Sequence, residues 1–511
     1  MAVIGTILKE VAKIKKSSED KKQLNFQLQE KILRKMLVKA KATEFGKKFH
    51  FESLLESENL VNDFRKQVPI YDYEKIYFEW WHKLQEGKAN VTWPGKVRYF
   101  GLTSGTSNDS SKRVPVTKDM IKAIRKVGIR QLIALSEFSL PTGFYEKSVL
   151  MLGGSTSLMK MEDYFEGDLS GILAGQLPFW FNKFYKPGKI SKERDWNVKL
   201  DKMVKEAWKW DIGGIAGVPA WVQILIEKII AHYKVDNIHD IWPHFKVYAH
   251  GGVNFTPYKK SFEKLLGQHV HYLETYLASE GFLAYQKKSD RDMQLVLDNG
   301  IFFEFIPFDN NNFTPEGKLV DNPVVLSLNE VDECKDYAIL LSTVAGTWRY
   351  LIGDTVKFTS VKDYEIIITG RTKHFLSLCG EHLSVDNMTK AINMVSEELN
   401  IDIREFTVAG IHYENLFAHK WYIGTNAVEI DPKMLSKKLD DALKLLNDDY
   451  ATERKAALKK VIVEILPEKL FYDWLRVKGK EGGQHKFPRV LNGLYNEWVE
   501  FIKNYKKDLL N

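Results

Sequence analysis

The run from His244 to Gly281 constrains the fold more than any other stretch. "HFKVYAHGGV" reads as a buried strand ending in a glycine turn, "PYKKSFEKLLG" as a helix, and "HVHYLETYLASEG" as a second strand. Strand, helix and strand in so short a span imply a parallel pair, because strands that point the same way need a crossover between them. The alternation begins near residue 97. "KDMIKAIRKVGIRQLIALSEF" has the apolar spacing of an amphipathic helix, and "SVLMLGG" that of a buried strand. An α/β domain with a mainly parallel sheet follows.

The flanks differ. Residues 1–90 read as mostly helical, with "LQEKILRKMLVKAKATEFG" closed by Gly46. Between 293 and 370 only strands appear, as in "MQLVLDNGIFFEFIP" and "YAILLSTVAGTWRYLIGDTVKFTS", the pattern of a β-barrel subdomain. After Arg371, strands such as "EFTVAGIHY" and "KKVIVEILP" mix with helices in a small α+β unit. A chain of 511 residues exceeds what one core supports. The expected division is 1–371 for a large domain and 372–511 for a small one, with the boundary at Thr372–Lys373.

Composition excludes several classes. Lys and Arg number 74 against 67 acidic residues, and they are scattered, so no nucleic-acid partner is expected. Cys334 and Cys379 have neither metal-site nor disulfide-framework spacing, which fits a reducing, cytoplasmic setting. "MAVIGTILKEVAKIKK" reads as an amphipathic helix, and no run of 18 apolar residues suggests a membrane span. A monomer is expected.

The stretch "YFGLTSGTSNDSSKRVPVT" raises the question of activity. Every residue from Thr103 to Ser111 is Ser, Thr, Gly, Asn or Asp, and Lys112 and Arg113 follow. A hairpin loop uses these residues, and so does a phosphate cradle of hydroxyls and backbone N–H groups. It is not a P-loop, since no Gly-Lys pair follows Gly105. Further on, "AHGGVNF" puts Gly251 and Gly252 at a strand end, where α/β sheets bind ligands. "YLETYLASEG" ends with Tyr276, Ser279 and Glu280, "WRYLIGD" with Asp354, and "ITGR" with Arg371.

In that order, and with a late "QHKFPR", these pieces resemble the adenylate-forming enzyme superfamily. The branch they look like is the auxin-responsive-promoter family of acyl-acid amido synthetases, over about residues 97 to 490. The resemblance implies a large domain carrying a small C-terminal lid, and an ATP- and Mg²⁺-dependent ligase. Such an enzyme adenylates a small carboxylic acid and passes the acyl group to the amine of an amino acid. By similarity Ser104, Gly105, Thr106 and Ser107 would cradle phosphate, with Lys112 at the edge of the loop. Gly251 and Gly252 would wall the adenine and Tyr276 would stack on it. Ser279 would contact the α-phosphate, Glu280 would hold Mg²⁺, and Asp354 would accept the ribose hydroxyls beside Arg371. Lys486, delivered by the lid, would reach the reacting carboxylate. Members often carry a second loop glycine where this chain has Asn108-Asp109-Ser110-Ser111.

The residue types suit that chemistry. Joining two anions requires cations and preorganised donors, and Mg²⁺ is usually held by one or two carboxylates together with phosphates. Candidates for the acyl pocket are Arg130, Phe179–Trp180, Pro219 and Trp221. A nucleophile elbow and an HExxH motif are both missing from the sequence. The alternatives are an acyl-CoA ligase, with a thiol acceptor, and a nucleotide-binding protein without turnover.

Overall fold

The computed structural model describes residues 26–508 apart from 104–111, 178–180, 182, 253–254, 315–316, 373–375, 377–382, 414–415, 427–429, 448–449, 452–453, 455–457, 481, 483–485 and 492. Ser104, Gly105, Thr106, Ser107, Phe179, Trp180 and Lys373 therefore lie outside the described residues.

Helix α1 (Phe26–Ala40) buries Ile32, Leu33, Met36 and Leu37, one face of a 3.6-residue repeat. Its Gln29 is buried too, donating to Leu297 O at 2.7 Å and Ile301 O at 3.0 Å and accepting from Phe303 N at 2.8 Å. The helix ends at Ala40, short of the Gly46 expected to close it. A new short helix, Glu44–Lys48, starts instead, with the Thr43 hydroxyl accepting from Gly46 N at 3.0 Å. A Cβ on Gly46 would lie 2.2 Å from the Ala40 carbonyl oxygen. Gly46 permits a close turn between two helices and caps neither.

The chain continues through β1 (Tyr99–Thr103), β2 (Lys112–Val116), α2 (Lys118–Ala134), β3 (Ser148–Leu152), β4 (Met159–Lys160), β5 (Phe165–Asp168), β6 (Tyr185–Lys186), α3 (Trp196–Glu206), β7 (Ile212–Gly217), α4 (Pro219–Tyr233), β8 (Val247–Gly251), α5 (Thr256–Glu263) and β9 (His271–Ala278). Then come β10 (Gly281–Gln286), β11 (Met293–Leu295), β12 (Ile301–Pro307), β13 (Asp336–Thr343), β14 (Thr347–Ser360) and β15 (Glu365–Arg371). The C-terminal unit holds α6 (Val385–Leu399), β16 (Glu405–Tyr413), β17 (Leu416–Gly424), α7 (Pro432–Leu446), β18 (Leu458–Leu466), α8 (Glu468–Val477) and α9 (Tyr495–Asp508).

One sheet of 11 strands dominates, in the order β12-β13-β14-β15-β11-β10-β9-β8-β7-β3-β6. From β6 to β9 every neighbour is parallel, as the strand–helix–strand reading requires. From β9 to β12 every neighbour is antiparallel. The strands expected as a barrel subdomain are thus hydrogen-bonded into the same sheet. They also enclose a core of their own, in which Phe302, Phe305, Trp348 and Phe358 pack with Phe100 and Val114 of the β1–β2 hairpin and with the N-terminal helices.

A separate sheet, β16-β17-β18, carries α6 and α7 over a second core that includes Met388, Ile392, Phe406, Trp421 and Leu439. On the other side Phe471, Trp474, Phe487 and Trp498 join a cluster with Trp196, Trp221 and Tyr258 of the α/β part. The C-terminal unit is therefore seated on α4 and α5. Among the described residues no helix is long and apolar enough to cross a membrane.

Candidate active site

The glycines come first because the backbone crowds there. Strand β8 ends at Gly251, where a Cβ would lie 2.4 Å from the Thr275 carbonyl oxygen of β9. Gly252 follows at φ +85°, a left-handed conformation that suits glycine. The next strand, β9, turns into β10 through Ser279 and Glu280 alone, and both are buried. On the far side of the sheet, Asp354 of β14 stands opposite Arg371 of β15 in the ladder. Their side chains also meet, Arg371 Nε to Asp354 Oδ1 at 2.8 Å. The Tyr276 hydroxyl donates to the other oxygen, Asp354 Oδ2, at 2.7 Å. Residues separated by 78 positions in the chain thus share one carboxylate.

Electrostatics extend this group. Burial, reinforced by the negative charge of Asp354, pushes the Glu280 carboxyl up to about 7, while Arg371 and Lys112 pull the other way. Burial, with Asp354 beside it, also keeps the Tyr276 hydroxyl protonated well beyond its ordinary range. Arg371 is held in its charged form chiefly by Asp354. Lys486 comes from the C-terminal unit, and its Nζ donates to the Gly252 carbonyl oxygen. A Cβ on Gly252 would lie 2.9 Å from that Nζ. The Lys486 side chain keeps an exposed face but sits deep among protein atoms. Lost hydration, then Arg371 and Arg489, lower it to about 8, against the pull of Asp354. Glu280, Tyr276 and Lys486 thus each feel the charges of Asp354 and Arg371. Lys112 opens β2 at the edge of the serine-rich stretch, with its ammonium 5.1 Å from the centre of the Tyr73 ring.

The acyl-pocket candidates fare differently. Arg130 lays its guanidinium on Asp298, Nη1 to Oδ1 at 2.5 Å and Nη2 to Oδ2 at 2.6 Å. A bidentate carboxylate from the protein itself takes that fork and ties α2 to Asp298. Pro219 opens α4 directly after β7, a position where its missing N–H costs nothing. Trp221 is buried, its ring centre 5.3 Å from that of Trp196 and 5.9 Å from that of Tyr472. It borders a narrow cleft of about 10 Å³ with Val218, Tyr258, Glu405, Lys486 and Arg489.

Tyr258 and Glu405 escaped the sequence reading, and Arg489 entered it only as the end of "QHKFPR". Glu405 accepts from the Tyr258 hydroxyl at 2.6 Å and from Arg489 Nη1 at 2.7 Å. Their one signal was a glutamate opening an otherwise apolar strand, "EFTVAGIHY", and an arginine three positions after Lys486. Among the described residues no three His, Cys, Asp or Glu side chains gather as a metal site.

Residues 14–162 match the family model for the GH3 family N-terminal domain, residues 294–371 the central domain and residues 386–494 the C-terminal domain. No curated protein matches the sequence. Among solved structures, a GH3.15 acyl acid amido synthetase superposes with a TM-score of 0.73 at 15% identity, covering 94% of this chain and 93% of that one. A second structure of AtGH3.15, in complex with 2,4-DB, gives 0.74 at 16% identity with the same coverage. A 2-hydroxyisobutyryl-CoA ligase in the postadenylation state, in complex with 2-HIB-AMP, gives 0.59 at 12% identity, covering 93% of this chain and 91% of that one. With three domain models of one family matched in succession, the chain belongs to the GH3 family, and it shares its fold with these solved structures along nearly the whole length.

Proposed function

We propose that this protein is an ATP-dependent acyl-acid amido synthetase, which adenylates a small carboxylic acid and transfers the acyl group to the amine of an amino acid. The observation that carries it is the seating of Lys486, whose ammonium reaches the end of β8 within the charge field of Asp354 and Arg371. We take residues 1–371 as the part that holds ATP and acid, and 372–511 as the lid that supplies Lys486. The setting we propose is cytoplasmic and the working form a monomer.

Each residue has a task in this reading. Asp354 uses one lone pair on each oxygen for Tyr276 and Arg371, and the remaining lone pairs would accept the two ribose hydroxyls. Tyr276, 5% exposed, orients Asp354 and would stack on adenine. Gly251 and Gly252 leave room for a base against the backbone. Ser104, Gly105, Thr106, Ser107 and Lys112 would surround phosphate oxygens, and Ser279 would meet the α-phosphate.

Glu280 fits a divalent cation: its charge is held back by burial and by Asp354, and a bound cation removes that penalty. Mg²⁺ held there would neutralise phosphate charge, with phosphate oxygens completing its shell. Lys486, protonated, offsets the repulsion between carboxylate and α-phosphate as the two anions join. Lowered to about 8, it holds its proton less firmly until an anion arrives beside it.

The purified protein, given ATP, Mg²⁺ and a panel of carboxylic acids, should release pyrophosphate only when the right acid is present. Amino acids added next should give amides detectable by mass spectrometry. Thioesters formed with coenzyme A, and no amides, would reassign it as an acyl-CoA ligase. Absence of acid-dependent pyrophosphate from every acid would refute adenylation.

A further inference from the structure

The Lys486 ammonium ends a flexible stem, and a group that stabilises a transition state must be held to within a fraction of an ångström. On the approach to Lys486 the chain turns at Gly479 and Gly482, at φ +66° and +78°. The restraint comes from the residues after Lys486. Phe487 packs on Phe471, Trp474 and Trp498, with ring centres 4.8, 5.1 and 4.9 Å away. Arg489 lies over the Phe406 ring at 4.5 Å and donates to Glu405 Oε2 at 2.7 Å and Phe406 O at 3.1 Å. Its carbonyl accepts from Val408 N at 3.0 Å, and Leu491 N donates to Val408 O at 2.8 Å. Lys486 is thereby tied to the first strand of the small sheet.

A second restraint must tie that sheet to the nucleotide crevice. Helix α5 follows the Gly251–Gly252 turn, the same turn whose carbonyl accepts from Lys486. From α5 the Tyr258 hydroxyl donates to Glu405 Oε1 at 2.6 Å, and that oxygen also accepts from Tyr472 at 3.2 Å. Tyr258 and Glu405 are both buried. Burial raises the Tyr258 hydroxyl far above its usual range, so it stays a donor at every working pH. The nearby cross-contacts Lys264–Asp402 at 3.1 Å and Lys260–Asn400 at 2.7 Å are exposed, and such contacts hold little.

We infer that Tyr258, Glu405 and Arg489 are positioning residues that seat Lys486 for adenylation, with the Tyr258–Glu405 hydrogen bond made only while the C-terminal unit rests on α5. This rests on the function proposed above. Arg489 and Glu405 set Lys486 within its own unit, and Tyr258 sets that unit on the crevice. Removing the Tyr258 hydroxyl leaves the Glu405–Arg489 pair intact and takes away the docking bond together with one long contact from Arg489 Nη2 at 3.4 Å.

The test uses the full chain carrying Tyr258→Phe. A hydrogen bond to a charged acceptor of this strength predicts that kcat for acid-dependent pyrophosphate release falls roughly ten- to a hundredfold. KM for ATP should hold, as should conjugation of a supplied acyl-adenylate. In the Lys486→Ala background the same substitution should cost nothing further, because it acts through Lys486. Hydrogen exchange at residues 486–491 and in α5 should quicken, while β17 and β18 stay protected. Glu405→Gln, which keeps the shape and weakens both bonds, should behave alike. Equal loss in both half-reactions, or an additive loss with Lys486→Ala, overturns the inference. If the wild type releases no pyrophosphate with any acid, the adenylation reading falls and exchange alone decides. Faster exchange at 486–491 then supports the seat, and unchanged exchange refutes it.

Discussion

Glu304 and Glu280 are both buried carboxyl groups on the large sheet, and their surroundings are opposite. Glu304, 0% exposed, lies between two guanidiniums, with Arg65 Nε at 3.0 Å and Arg349 Nε at 3.1 Å. Those arginines are satisfied in turn: Arg65 donates to Ser327 Oγ at 2.7 Å, and Arg349 to the carbonyls of Arg65 and Val68 at 2.8 and 2.7 Å. Glu280 faces a second carboxylate and is only partly offset by Arg371 and Lys112. The first arrangement is complete and holds the N-terminal helices to the sheet. The second is incomplete, as a site must be if a ligand is to complete it.

The largest effect should come from breaking the complete one. Glu304→Gln removes the charge between the buried Arg349 and the half-buried Arg65 and should cost about 3–5 kcal/mol of stability, read as a lower midpoint in denaturant unfolding. A loss under about 1 kcal/mol, the range of exposed pairs, would show that water reaches the cluster and dissolve the contrast.

Lys486→Ala tests the incomplete region from its cationic side. Removing a donor aimed at the transition state should lower acid-dependent pyrophosphate release about 10²- to 10³-fold. Conjugation of a supplied acyl-adenylate should suffer much less. Stability should not fall, since the fold already disfavours the charge on Lys486. Lys478 and Lys480, on the same approach, serve as controls.

Asp354 stands between the two extremes, paired within the protein yet offered to ligand. Asp354→Ala should weaken ATP and AMP alike, by roughly tenfold to a hundredfold, because both present the same ribose. Calorimetric titration with AMP checks this, and unchanged affinity in a folded variant removes Asp354 from the ribose.

The smallest effect carries the sharpest sign. The folded Glu280 titrates at about 7, above its ordinary 4.5. The fold therefore favours the protonated form. The penalty is absent below pH 4.5, grows from there to 7, and is complete above. Glu280→Gln should add about 1–3 kcal/mol of stability at pH 8 and none at pH 4.5. Thermal unfolding at the two pH values measures it. Equal shifts at both would show that the carboxyl is not held back.

Legibility from sequence followed the range of the interactions. Strand–glycine–helix patterns are local, so the parallel strands β3, β8 and β9 and the helix α5 could be read directly, while β7 went unread. Gly251 and Arg371 end β8 and β15 and Glu280 lies in the turn after β9, positions that a strand pattern marks, whereas Asp354 lies inside β14 and Tyr276 inside β9, so those two were singled out by the resemblance. Partners could not be read. Arg130 looked available for an acid because Asp298 lies 168 positions away, and Tyr258 and Glu405 are 147 apart. Gly46 was misjudged since a helix stop and a close helix–helix turn both want glycine. The joining of both strand regions into one sheet depends on β11 pairing with β15, short and distant segments that no periodicity announces.

The two-residue link Ser279–Glu280 has an evolutionary consequence. Ala278 pairs with Gly281 across it, so one inserted or deleted residue would shift the register of everything beyond and turn alternate side chains to the wrong face. Relatives should vary in length elsewhere. The long connection from Pro307 to Asp336 joins adjacent antiparallel strands and can grow or shrink without moving the sheet. Gaps between family members should gather there, and the hairpin tip should stay free of them even where its residues have changed.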